Sequence, residues 1–262
     1  MHALLDLERY PLDRLESSSG LALIERCRQR LARHGMFDLP GLLQPEALRL
    51  SLAHVGPLLA GASFSHSRTH NVYFEQSVPG LPADHPALGS VQTTNHTVCA
   101  DQIQDSVLSE VYAWPALAGF LARVMDKPAL YPMADPLASV NVMEYRDGEP
   151  ALGWHFDRSE FTTTLLLRAA GSGGAFQYRA AIRSPQDPGY DTVAQVLAGR
   201  DPEVRTLAIT AGTLILFRGQ STLHRVTPVS GQSRIVATLS YCETPGVRFS
   251  PAEQRGFYGR EA

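Results

Sequence analysis

The sequence predicts an α+β fold in which a helix-rich N-terminal part is followed by an antiparallel β sandwich or barrel. Three observations predict it. Apolar residues recur at helical spacing in the first half of the chain. After Lys127-Pro128, short runs rich in β-branched and aromatic residues alternate with turn clusters. Those runs are short and regularly spaced, the pattern of an antiparallel architecture. The 262 residues are read as a single domain, 1–127 being helix-rich and 128–262 forming the β core.

From Ser17 to His34 a serine precedes an apolar face of Leu21, Leu23, Ile24, Cys27 and Leu31, with arginines on the other side, which reads as a capped amphipathic helix ended by Gly35. Met36 to Leu43 reads as a short strand broken by Pro40, and Gln44-Pro45-Glu46 starts a second helix through Val55. Residues 56–100 have weak periodicity and read as loops with short strands, including Arg68 to Phe74. Ile103 to Met125 is apolar at helical spacing with a break at Trp114-Pro115, so one or two helices are expected. Seven strands follow: Ser139 to Tyr145, Phe161 to Leu167, Ala175 to Tyr178, Thr206 to Ile209, Thr213 to Phe217, His224 to Val226 and Arg234 to Tyr241. Asp191 to Leu197 reads as helical, inside an insertion near 185–203.

Composition excludes several classes of partner. With 23 basic against 26 acidic side chains there is no overall positive field to hold nucleic acid or an anionic membrane. No apolar stretch approaches the roughly 18 residues of a membrane span, and the first residues lack an apolar signal-peptide centre, so a soluble cytoplasmic protein is expected. Cys27, Cys99 and Cys242 are far apart and form neither a disulfide framework nor a cysteine metal site.

The chemistry concentrates in four residues. His155 and Asp157 are two apart, so on an extended segment both face the same way and can grip one ion from one edge. His224 begins a late strand, and Arg234 lies ten residues further on across the Gly231 turn. If the segments bearing His155 and His224 face each other, two imidazoles and one carboxylate occupy one face of an octahedral ion and leave three positions open, as in mononuclear non-haem Fe(II) oxygenases. A closed structural zinc site would want a fourth ligand, usually sulfur, and the cysteines are misplaced for it. A bidentate 2-oxo acid suits two of the open positions, and its far carboxylate, once buried, needs a permanently charged, two-pronged donor, the task that suits Arg234.

These residues resemble the pattern of the Fe(II)/2-oxoglutarate-dependent oxygenases. The strings GWHFDRSEFTTTLLL, GGAFQY, IRSPQDPGYDTVAQVLAG, GTLILFRGQSTLHRVTPVSG and the terminal FYGR are similar, more narrowly, to the branch holding the free-lysine halogenases and related amino-acid hydroxylases. The resemblance implies a distorted double-stranded β-helix, a cupin-like jelly roll with N-terminal helices packed on it. It implies Fe(II) on His155, Asp157 and His224, the distal carboxylate of 2-oxoglutarate on Arg234, and O₂ as co-substrate. Asn141 and Tyr145, on the strand entering the site, are carried over as co-substrate contacts. Trp154 and Arg158 flank the iron motif and are candidates to line the substrate pocket, Arg158 being equally placed to pair with Glu160; Arg68 and His70 are candidates to meet a substrate carboxylate.

Halogenases of this branch carry a small residue at the carboxylate position, where chloride then binds, whereas Asp157 fills it here, so hydroxylation is expected. The expected substrate is a small molecule, an amino acid first, with a homodimer allowed as the assembly. Two alternatives stand beside this reading: a hydroxylase of a peptide, protein or carrier-bound residue, and a non-catalytic metal-binding jelly roll.

Overall fold

A computed structural model describes residues 1–75, 78 and 80–262. The first helix, α1, spans Ser18–His34; Ser17 Oγ accepts from the Gly20 amide at 3.1 Å, and Gly35 ends the helix in the left-handed region at φ 70°. A Cβ on Gly35 would also stand 2.7 Å from the Ala180 methyl, so both conformation and space call for glycine. Strand β1 (Met36–Leu39), helix α2 (Pro45–Gly61), strands β2 (Phe64–His70) and β3 (Val91–Val98), and helices α3 (Val107–Ala113) and α4 (Pro115–Met125) complete the N-terminal part. There follow β4 (Tyr131–Pro132), β5 (Val140–Tyr145), β6 (Thr162–Arg168), β7 (Ser172–Gly173), β8 (Phe176–Arg179), α5 (Tyr190–Leu197), β9 (Arg205–Leu207), β10 (Leu214–Phe217), β11 (Leu223–Val226), β12 (Val229–Ser230), β13 (Arg234–Leu239), β14 (Tyr241–Cys242) and α6 (Pro251–Tyr258).

The larger sheet has seven strands in the order β1-β10-β6-β13-β5-β3-β2, with every neighbouring pair antiparallel. A smaller sheet, β11-β8-β9, packs Phe176, Tyr178 and Val226 against side chains of the large one. This is the α+β, cupin-like jelly roll expected from the sequence. Alternation along the strands divides the side chains between two surroundings. Leu165, Leu167, Leu214, Leu216, Ile235, Ala237 and Leu239 meet the apolar faces of α1 to α4 in the main hydrophobic core. Burying each large aliphatic side chain in such a core stabilises the fold by about 1.5–3 kcal/mol. The opposite register positions, among them Tyr145, Leu166, Phe217, Arg234 and Val236, face the interior between the sheets.

Three regions depart from the sequence reading. Helix α2 continues past Val55 to Gly61 with Pro57 inside it, because Val55 and Leu59 keep the buried face going. Residues 56–100 hold two long paired strands, β2 and β3, where loops with short strands were expected. Their inner face is largely polar, with His66 and Arg68 opposite Asn95 and Thr93, so hydrophobic periodicity does not reveal them. Helix α6 was not anticipated, although Ser250 and Glu253 form a reciprocal capping box at its start.

With β1, β2 and β3 in the large sheet, the composition shift near residue 128 is not a boundary in the structure. Among the described residues no helix is long and apolar enough to cross a membrane.

Candidate metal centre

His155 lies on the segment following β5 and His224 on β11, and the two are joined as an antiparallel bridge by reciprocal amide-to-carbonyl bonds of 3.0 Å. That bridge brings the rings to 4.1 Å between centroids. Each imidazole has a main-chain carbonyl at Nδ1, Gly153 O at 2.8 Å for His155 and Thr222 O at 2.9 Å for His224. A carbonyl only accepts, so Nδ1 carries the proton in both rings and Nε2 presents its lone pair. Both Nε2 atoms point at Asp157 Oδ1, at 3.3 Å from His155 and 3.6 Å from His224. The three ligand atoms lie within 4.8 Å of one another, the spacing of donors around a single ion.

Asp157 is held by more than its neighbours' charge. Its amide donates to Gly219 O at 3.1 Å and its Oδ2 accepts from the Thr162 hydroxyl, which leaves Oδ1 for the imidazole side. Burial works to raise its pKa, but the positive charge that His224 and His155 carry when protonated, together with the Thr162 bond, outweighs it and holds the carboxyl well below the usual carboxylate range. Burial, with His155 beside it, pushes His224 down to about 4, so the ring is neutral and ready to bind metal.

Arg234 stands opposite Tyr145 in the β13–β5 register, 4% exposed, with its guanidinium carbon 5.9 Å from the Tyr145 ring centre. Its Nη1 is buried without a hydrogen-bond partner among the described residues. An unpaired guanidinium is costly to bury, and a carboxylate ligand in the interior would satisfy it. Tyr145 is fully buried, its hydroxyl 3.8 Å from Met143 Sδ, and burial raises its pKa to about 12. Asn141 is engaged at both ends of its amide, donating to Leu137 O at 2.7 Å and accepting from the Tyr258 hydroxyl at 2.8 Å. The second of these bonds ties β5 to α6.

The remaining candidates divide into two groups. Trp154 joins a separate hydrophobic cluster with Val72, Phe156 and Val193, under the Arg225 guanidinium at 4.8 Å; it lies outside the ligand cluster, as alternation with His155 requires. Arg158 is exposed and pairs with Glu253 of α6 at 2.8 Å, while Glu160 pairs with Lys127 at 2.7 Å. Arg68 and His70, by contrast, share the inner face of β2. His70 Nε2 contacts Thr93 Oγ1 at 2.9 Å, and Arg68 Nε is buried with no partner among the described residues.

Phe74, missed in the sequence, links this face to the metal ligands. Its ring lies 4.4 Å from the His70 ring, 4.4 Å from the Arg68 guanidinium and 5.9 Å from the His155 ring. It is 39% exposed and holds φ at 58°, a strained conformation for a residue with a side chain. Thr162 and Gly219 were also missed, since neither belongs to a ligand motif.

The family model for HalD, Halogenase D, matches residues 21–250, while no curated protein matches the sequence. Several solved structures share the fold. AviO1 from Streptomyces viridochromogenes Tue57 superposes with a TM-score of 0.58 at 17% identity, covering 87% of this chain and 97% of that one. The epimerase SnoN, in a complex with Fe3+, alpha ketoglutarate and nogalamycin RO, gives 0.54 at 16% identity over 84% of each chain. A Pseudomonas putida prolyl-4-hydroxylase gives 0.52 at 16% identity, covering 82% of this chain and 96% of that one. The match over residues 21–250, together with the jelly roll and its His155–Asp157–His224 cluster, shows that this chain belongs to the HalD (Halogenase D) family.

Proposed function

We propose that the protein is an Fe(II)- and 2-oxoglutarate-dependent oxygenase that hydroxylates an unactivated C–H bond of a free amino acid or similar small metabolite. The observation that carries this reading is Asp157, whose Oδ1 lies between two imidazole Nε2 atoms and supplies an anionic oxygen at the third ligand position. The donor set of two neutral imidazoles and one carboxylate suits Fe(II) with open positions, and the buried, unpartnered Nη1 of Arg234 suits the far carboxylate of 2-oxoglutarate. When bound, iron with 2-oxoglutarate and O₂ supplies the oxidising power for C–H cleavage.

The chain's own residues orient and exclude. Gly153 and Thr222 carbonyls set the imidazole tautomers, Thr162 sets the carboxylate, and Phe74 covers the His155 edge of the site against water. Arg68, beside Phe74 on the inner face of β2 with its Nε unpartnered among the described residues, favours a substrate bearing a carboxylate, whereas His70 has both ring nitrogens engaged, with Asn71 O and Thr93 Oγ1. The Phe74 ring, set edge-on against His155, favours a small substrate over a peptide or carrier-bound one.

The family's name, Halogenase D, raises halogenation as a second reading. A halide needs the coordination position that Asp157 occupies, and this favours hydroxylation. The test is a screen of amino acids for succinate release, followed by mass analysis of product formed in chloride and in bromide. Hydroxylated product in both salts is expected. Halogenated product from the unaltered protein would overturn the assignment of Asp157, and turnover only with a peptide or carrier-bound residue would overturn the substrate class.

A further inference from the structure

The Asp157 carboxylate sits in a slot made by two residues that contribute no metal-ligand atom. Thr162 begins β6, and the turn from 158 to 161 brings its hydroxyl back onto Asp157 Oδ2. Gly219 follows β10, its carbonyl accepting from the Asp157 amide at 3.1 Å. A Cβ built on Gly219 would stand 2.5 Å from Asp157 Oδ2, 2.7 Å from Thr162 Oγ1 and 2.8 Å from Asp157 Cβ, all closer than real Cβ contacts come. Gly219 is not among the positive-φ glycines, so glycine is required here by space and not by backbone conformation. Arg183 braces the same turn: its guanidinium stacks on Phe156 at 4.0 Å and donates to Gln220 O at 2.5 Å and to Asp157 O at 3.4 Å.

We propose that Gly219 and Thr162 are positioning residues that make the third ligand position a carboxylate slot. Gly219 leaves the volume for the carboxylate, and Thr162 occupies Oδ2 so that Oδ1 alone turns toward the imidazoles. The inference rests on the metal-site reading above and adds to it a statement about size and orientation. With the side chain at 157 removed, the space beside Gly219 and the Thr162 hydroxyl fits a small exogenous carboxylate, for which formate is the minimal probe.

Co(II) serves as the metal probe, its binding read from the visible ligand-field spectrum without turnover, with circular dichroism confirming the fold of each variant. Binding by the wild-type protein and its loss in His224→Ala test the metal site itself; failure there overturns the metal-site reading and this inference with it. Given that binding, Gly219→Ala should weaken Co(II) by about 10–100-fold, the range typical of groups supporting metal ligands. Thr162→Val should weaken it about tenfold and alter the spectrum, and Thr162→Ser should restore both. Asp157→Gly should regain affinity and spectrum on addition of formate, whereas Asp157→Gly combined with Gly219→Ala should not respond. Wild-type affinity and spectrum in Gly219→Ala, or formate rescue of the double variant, would overturn the proposal while leaving the metal site standing. If Gly219→Ala does not fold, Thr162→Val decides, and an unchanged spectrum and affinity there overturns it.

Discussion

At Arg234 one buried guanidinium has no partner for Nη1 among the described residues. Arg225 and Arg218 cannot take its place, because Arg225 lies over Trp154 and donates to Gln177, and Arg218 is half-buried beside Glu160. Arg234→Leu should therefore weaken 2-oxoglutarate by about a hundredfold, on the order of 3 kcal/mol, since one partner of a desolvated charge pair is lost. Lysine should rescue only in part, offering a point charge in place of a planar fork. The check is the 2-oxoglutarate affinity of the metal-loaded variants. At this scale spacing picked out His155, Asp157 and His224, whose ligand atoms the fold gathers within 4.8 Å of one another, and Arg234 as the candidate anchor beside them. It did not expose Thr162, Gly219 or Phe74, whose roles arise only where separate segments meet. Trp154 shows the limit of adjacency, since its place beside His155 sends it to the opposite face.

Among the elements, the start of α6 is anchored by a buried carboxylate. Asp135 accepts from the amides of Leu137, Ala138 and Phe249 and from the Gln254 side chain, each at 2.8–2.9 Å. Asp135→Ala should cost about 1–3 kcal/mol by leaving those donors unpaired, and limited proteolysis should then release the C-terminal helix first. Burial works to raise the Asp135 pKa, but Gln254 and the three amides outweigh it and hold it below its ordinary 3.8. A carboxyl with a depressed folded value stabilises fully above the ordinary value and loses that contribution as pH falls through the folded one. Protease release of α6 should thus set in below 3.8 in the wild type, and Asp135→Asn should flatten that dependence. The Ser250–Glu253 capping box made this helix legible in principle. Strands β2 and β3 were less so, because a strand that lines a polar interior with His66, Arg68, Thr93 and Asn95 shows no alternation of apolar with polar residues.

Across the whole molecule, the metal ligands connect the two halves of the roll, Asp157 entering β6 of the large sheet and His224 lying on β11 of the small one. An ion bound only by the folded chain stabilises it by about 2.7 kcal/mol at a hundredfold excess over Kd. In a chain of this size that should raise Tm by about 5–10 °C, and chelator should reverse the shift while His224→Ala shows none. The sheet order makes a second demand. Residues 128–262 alone lack β1, β2 and β3, which leaves β10 and β5 with bare edges and the main core without α1 to α4. That fragment should not fold, as circular dichroism and proteolysis would show, even though composition alone sets it apart as a β core.

The central claim is that His155, Asp157 and His224 hold a metal to which a 2-oxo acid anchored by Arg234 is chelated. Its most direct test is an anaerobic titration of the purified protein with Fe(II) and 2-oxoglutarate, read by the weak visible charge-transfer band of that chelate. The band should saturate with the wild-type protein and be absent from His224→Ala. No band in the wild type, or a band of full strength in His224→Ala, would contradict the account.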